Sequence, residues 1–434
     1  MSLNVIAVLG IVILLVLLFL GVNIGIAMLL VGFLGYAVVT NWSAAIGVLA
    51  SVPATQASTY SLTVIPLFVL MGNFCYATGM SSGLYNAADK CLSRAPGGLA
   101  DTTIVTSALF GAICGSTQAT AATIGVIAIP EMRKYGYDDS LSCGSVSVGG
   151  TLGIMIPPST PMIVYGLLSM ESIGQLFAAG ILPGILEAVL CIVLITIWVK
   201  TKPGTASPAR KYTAKERLKA LVGFIPMLIL FVAVFGGMFS GIFTINESAA
   251  VGAFLGFIMM FVMRKFTWKN FMSVMKDTVK TTSMTFLILI GAVVFGNFLT
   301  VTNMPSALAT WISSLNVSRY LIFALIVVIY FFLGMLMDAL PMMMLTVPIF
   351  LPIIKALGFD AIWFGVVIVM VMQLGLITPP VGMSCYVVSG IAKDVPLMKI
   401  FKGALPFCLP ILASIVIITM FPAITTILPN IIYG

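Results

Sequence analysis

The stretch Gly153-Ile154-Met155-Ile156-Pro157-Pro158 recurs later in the chain as Gly375-Leu376-Ile377-Thr378-Pro379-Pro380. Both copies interrupt long apolar runs in which a helix would otherwise continue. A Pro-Pro pair removes two backbone donors and crowds the preceding turn, so each helix has to break. Within lipid, backbone groups freed by a break are tolerated only where protein buries them or a polar cavity solvates them. Matched breaks at membrane depth, one per half of a chain, mark the binding site of a secondary transporter.

Composition sets the frame for this reading. The 434 residues are 61% hydrophobic and only 8% charged, with mean hydropathy +1.19, whereas soluble domains carry about 25% charged residues. An all-α polytopic membrane protein follows, with no soluble domain. Strands of a β-barrel would alternate polar and apolar residues, and these runs do not. The net charge of +8 lies in loops and reads as a membrane orientation signal, not as a nucleic-acid surface. Seven cysteines show no CxxC spacing and read as packing residues. Histidine is absent, which removes Ser-His hydrolysis, His metal sites and His proton relays. The apolar run Met1 to Phe19 lacks a basic leader and a small-residue cleavage site, so it is expected to stay as a membrane helix.

The chain reads as two copies of one plan. Residues 1–199 give apolar spans near 3–20, 24–40 and 61–79, an interrupted run at about 101–132, a broken helix at about 139–168 and a span near 174–199. Residues 200–220 form a basic polar connector whose second part can lie as a surface amphipathic helix. Residues 221–434 give spans near 221–241, 247–263 and 279–299, a polar segment from Asn303 to Arg319, an interrupted run at about 320–356, a broken helix at about 360–391 and a last span near 403–430. Residues match as well as hydropathy. Gly72-Asn73-Phe74 matches Gly296-Asn297-Phe298 at an offset of 224, while Gly136-Tyr137-Asp138 matches Gly358-Phe359-Asp360 and the Pro-Pro pairs match at 222. A series of matches at nearly constant offset is a duplication.

Basic residues orient the copies. The connector carries Lys200, Lys202, Arg210, Lys211, Lys215, Arg217 and Lys219 and is expected in the cytoplasm. Treating each interrupted run as a re-entrant hairpin gives an odd number of crossings per half. The copies are then inverted, both termini are periplasmic, and Arg133, Lys134, Arg264, Lys265, Lys399 and Lys402 also fall inside. Trp42, Trp198, Trp268 and Trp363 fall at predicted span ends as interfacial anchors.

Candidate site residues come from the two hairpin tips and the two broken loops. Asp338, after Met337, lies deep in an apolar run, and an intramembrane acid is a functional-site hypothesis by default. Gly115-Ser116-Thr117-Gln118, followed by Thr120, is the equivalent tip, with Ser116 at the offset position of Asp338. Its hydroxyls and carbonyls are oxygen donors suited to a hard cation, though Ser and Thr also join helices by hydrogen bonds. Gly153, Ile156 and Pro157, with Gly375, Thr378 and Pro379, complete the expected Na+-binding set through unwound carbonyls. Ser159 and Thr160 open a half-helix whose N-terminus would face an anion, and with Thr120, Asn73 and Asn297 they form the expected substrate contacts. Inter-helix hydrogen bonding competes with a ligand role for the two asparagines. No deep Arg or Lys is evident to clamp a carboxylate.

The segments GAICGSTQATAATIG (Gly111–Gly125), GTLGIMIPPS (Gly150–Ser159), MDALPM (Met337–Met342) and QLGLITPPVG (Gln373–Gly382) resemble the large transmembrane subunit of tripartite ATP-independent periplasmic (TRAP) transporters, over essentially the whole chain. The resemblance implies an inverted-repeat ion-transporter fold of the elevator type in the bacterial inner membrane. It implies two partners, a small four-helix membrane subunit and a periplasmic solute-binding protein. It also implies Na+-driven import of an organic anion such as a C4-dicarboxylate, sialic acid, keto acid or sulfonate, with Na+ as the only metal and no cofactor. The main alternative is a stand-alone inverted-repeat carrier or a proton-coupled exchanger. An aspartyl intramembrane hydrolase would need two deep acids where Asp338 is the one evident candidate.

Overall fold

A computed structural model describes residues 2–207, 212–314 and 317–434. Met1 and, in the connector, Arg210 and Lys211 lie outside the described residues. The first half runs α1 (Leu3–Phe19), α2 (Ile24–Val39), α3 (Trp42–Ser58), α4 (Val64–Thr78), α5 (Met80–Leu92), α6 (Leu99–Cys114), α7 (Thr117–Lys134), α8 (Asp139–Leu152), α9 (Thr160–Ser169) and α10 (Ile173–Thr201). Next come α11 (Ala214–Val222), α12 (Ile225–Phe231), a π-helical turn (Val232–Gly236), α13 (Gly237–Phe239), α14 (Ile245–Val262), α15 (Trp268–Val301) and α16 (Met304–Ser314). The chain ends with α17 (Arg319–Leu336), α18 (Ala339–Ala356), α19 (Ala361–Ile377), α20 (Met383–Ile391), α21 (Leu397–Ala404), α22 (Cys408–Met420) and α23 (Ala423–Tyr433). Among the described residues seven helices are long and apolar enough to cross a membrane, or eight counting the 53° bent pair at the connector.

Both interrupted runs are helical hairpins, α6–α7 and α17–α18, and both broken helices are present as α8–α9 and α19–α20. The breaks are longer than a proline kink. Regular helix stops at Leu152 and resumes at Thr160, and stops again at Ile377 to resume at Met383. Asparagine, serine, threonine and aspartate caps fix many of the starts. Asn23, Asn41, Ser116, Asp138, Ser159 and Ser172 each accept a hydrogen bond from the first turn of the helix they precede. Glu247 closes a reciprocal capping box with Thr244.

Several expectations are corrected. The helix α3 carries Ser43, Ser51, Thr55 and Gln56, so its hydropathy gave no span, yet the Asn41 cap starts it all the same. The polar segment after Asn303 holds α16, an amphipathic helix. The last span ends at Met420, because Pro422 starts a separate helix. Trp363 is no interfacial anchor: it is 2% exposed, stacks on Phe359 and donates Nε1–H to the Ile418 carbonyl at 3.0 Å.

The helices pack as two interleaved sets. In the first, glycines let α2 lie on α15, with Gly25 against the Leu287 backbone and Gly32 against that of Phe295. The α4 and α14 pair closes similarly, Gly252 on Met71 and Gly256 on Phe74. Each of these contacts joins one half of the chain to the other. In the second set, the hairpins and broken helices also interlock across halves. The Tyr165 hydroxyl donates to the Ala361 carbonyl, and Ser384 donates to that of Ser147 at 2.6 Å. At the hairpin bases Arg133 pairs with Asp394 at 2.8 Å, and Lys355, at the offset position of Arg133, pairs with Glu171 at 3.0 Å.

Backbone contact between glycines seats each hairpin on the broken helix of its own half. A Cβ at Gly111 would lie 2.3 Å from Gly153 Cα, and one at Gly375 would lie 2.3 Å from the Gly334 carbonyl carbon. Small residues are the usual means of close helix approach in lipid. Gly111→Ala is expected to destabilise the protein by about 1–3 kcal/mol, as overpacking does. Gly296→Ala, with nothing within 4 Å of the added methyl, serves as the neutral control in thermal unfolding of the detergent-solubilised protein.

The Arg133 guanidinium holds the exposed Asp394 carboxyl below its usual range. A depressed carboxylate contributes stability above its unfolded value and loses it as pH falls through the folded one. The melting-temperature gap between wild type and Arg133→Gln is therefore expected at neutral pH and to close below about pH 4, the range of an ordinary Asp. A gap that persists unchanged in acid would remove Asp394 as its source.

Candidate functional site

The tips are built by helix capping. Gly115 ends α6 with φ +62°, a left-handed conformation natural to glycine. Ser116 then caps α7, accepting from the Ala119 amide at 3.4 Å. Asp338 is the N-cap of α18, its carboxylate accepting from the amide of the next residue, Ala339, at 2.8 Å. Serine and aspartate are interchangeable as N-caps. That accounts for their matching at the offset of 222 despite their difference in charge.

Each tip rests on the broken loop of its own half. The Thr160 amide donates to the Gly115 carbonyl at 3.4 Å, and the Val381 amide donates to that of Met335 at 3.3 Å. The two tips then meet, the Gln118 amide donating to Asp338 Oδ2 at 3.2 Å. Around this meeting point lies a cleft of about 570 Å³, walled on one side by the tips and on the other by α4 and α15.

Of the residues expected at the site, Gly115, Ser116, Thr117, Gln118, Asp338, Thr160 and Asn73 line the cleft. Asn73 also donates to Thr278 Oγ1 at 2.9 Å, so it joins α4 to α15 as well. The broken-loop residues Gly153, Ile156, Pro157, Gly375, Thr378 and Pro379 lie behind the tips and are not part of the cleft wall, nor is Met337. Thr378 is buried, its hydroxyl donating to the Leu374 carbonyl at 2.9 Å. Three expected substrate contacts do not line the cleft. Ser159 is buried as the cap of α9, accepting from the Met162 amide at 3.3 Å. Thr120 is buried with its hydroxyl 3.2 Å from Cys114 Sγ, and Asn297 lies away from the cleft on α15.

Sequence reasoning missed the opposite wall. Asp277, Lys280, Thr281, Met284, Thr285 and Ile288 form one face of α15 and line the cleft. Their spacing of three and four residues is the one signal that could have grouped them. Lys280 supplies the cation that the sequence reading did not find. Asp338 is also not the sole deep acid: Asp101 and Glu187 are fully buried, yet neither reaches the cleft.

Apolar helices, two tip-and-loop units and a polar cleft between them and a separate helical wall define a polytopic membrane transporter. The chain belongs to the family described as "Tripartite ATP-independent periplasmic transporter, DctM component", whose model matches residues 11–424. It is 36% identical to the C4-dicarboxylate TRAP transporter large permease protein DctM of Pseudomonas aeruginosa, over 86% of each chain. It is 32% identical to the sialic acid TRAP transporter large permease protein SiaM of Vibrio cholerae, over 96% of this chain and 97% of that one. The YdaH transporter of Alcanivorax borkumensis shares the fold, with TM-score 0.62 at 14% identity over 89% of this chain and 88% of that one. The chain is therefore a transporter subunit and not an enzyme.

Proposed function

We propose that this subunit imports a small organic anion, a carboxylate or sulfonate, by Na+-coupled secondary transport in the bacterial inner membrane. The observation that carries this reading is the convergence of both hairpin tips on one cleft, sealed by the Gln118–Asp338 hydrogen bond of 3.2 Å. Oxygens of Ser116, Thr117 and Asp338, with carbonyls of the Gly153–Pro157 and Gly375–Pro379 loops, are donors suited to Na+. The first turns of α7 and α18 open on the cleft, so their N-terminal dipoles favour an anion beside the cations. Relatives named for C4-dicarboxylates and sialic acid support a carboxylate cargo.

The interlocked hairpins and broken helices move as one unit against the α2–α15 and α4–α14 wall, in an elevator cycle. The two halves, 1–199 and 221–434, are inverted repeats joined by the cytoplasmic connector, with both termini periplasmic. A small four-helix membrane subunit and a periplasmic solute-binding protein complete the transporter, the latter delivering the anion.

Asp338→Asn tests the ion site cleanly, since asparagine caps a helix about as well as aspartate and the fold is kept. Reconstituted with its partners, the variant is expected to need roughly tenfold or more Na+ for half-maximal uptake, the scale of one lost charged contact. Undiminished uptake with unaltered Na+ dependence would remove Asp338 from the ion site.

A further inference from the structure

The wall opposite the tips carries a charge that the ion-binding reading leaves unused. Lys280 lines the cleft from α15, one turn beyond Asp277, and the tip that holds Asp338 lines the same cleft. Its ammonium makes no hydrogen bond or ion pair among the described residues. Asp277 accepts from the Ser273 hydroxyl at 3.4 Å instead of pairing with it. The cleft thus holds two carboxylates, one of them in the expected Na+ set, and a free cation on the other wall. Lys280 is exposed, so its unpaired ammonium is open to an anion that enters the cleft.

The duplication adds an independent observation. At the offset of 224 that relates Asn73 to Asn297, the counterpart of Lys280 is Gln56. The wall is therefore cationic on the side of the second half and neutral on the side of the first. Lys276, one turn before Lys280, lines a shallow groove along α15 that Lys280 also borders, but Lys276 does not line the cleft.

We propose that Lys280 is the wall's contact for the carboxylate or sulfonate of the transported anion in the conformation seen here, and that Gln56 gives no such contact in the opposite one. This rests on the reading of the cleft as the anion's passage. Anion affinity is then unequal on the two sides of the membrane, tighter where Lys280 is reached. The ammonium, with the dipoles of α7 and α18, holds the anion from opposite sides of the cleft.

The test uses Thr281→Cys, an exposed cleft position beside Lys280, in the full-length solubilised protein. Maleimide labelling of that cysteine is followed by peptide mass spectrometry, with succinate, N-acetylneuraminate or isethionate present at millimolar concentration. At least one acid is expected to slow labelling threefold or more when Lys280 is present. Protection is expected to vanish with Lys280→Gln, return with Lys280→Arg and survive Lys276→Gln. Equal protection in the Lys280→Gln background, or protection in no background, overturns the proposal. Protection that ignores Na+ leaves the Lys280 contact standing and sinks Na+ coupling, so the two failures are distinguishable.

Discussion

Backbone-to-backbone contact between glycines is the constraint on which the rest of the structure depends. Gly111 meets Gly153 and Gly334 meets Gly375 with no room for a methyl group between them. Only this approach brings a hairpin tip close enough to a broken loop for main-chain hydrogen bonds to cross the gap. Those bonds matter because lipid offers no substitute for water around an unwound segment. The two helix breaks are therefore tolerable because each is covered by a hairpin, and each hairpin tip is held in place by the loop it covers.

The site inherits its character from this arrangement. Tips built by N-caps aim the positive ends of α7 and α18 into the cleft, while the Asp338 cap adds a negative charge to one tip only. The opposing helix α15 contributes a cation to the same space. Charge asymmetry is thus distributed over two walls, the tips and the face of α15.

Particular residues show how much of this was legible beforehand. The Pro-Pro pairs, the offset of 222 and the tips at Ser116 and Asp338 were readable, because proline chemistry, hydropathy and repetition are local signals. The helix α3 was not, since its serines and threonines lower hydropathy while its Asn41 cap still starts a helix. Ser159 caps α9 and is buried, an arrangement that depends on which amide its hydroxyl meets. Trp363 looked interfacial, but aromatic packing with Phe323 and Phe359 buries it.

The sequence by itself determined the class, the duplication, the two breaks and the two tips, since each rests on residues adjacent in the chain. Only the tertiary structure decided which of these residues share a cleft. Gln118 and Asp338 are 220 positions apart and hydrogen-bonded. Lys280 belongs to the site because the α4 and α2 seams place that face of α15 opposite the tips. Helical periodicity tells which residues share a face, but what a face meets is fixed by packing between distant helices, and no local pattern encodes it.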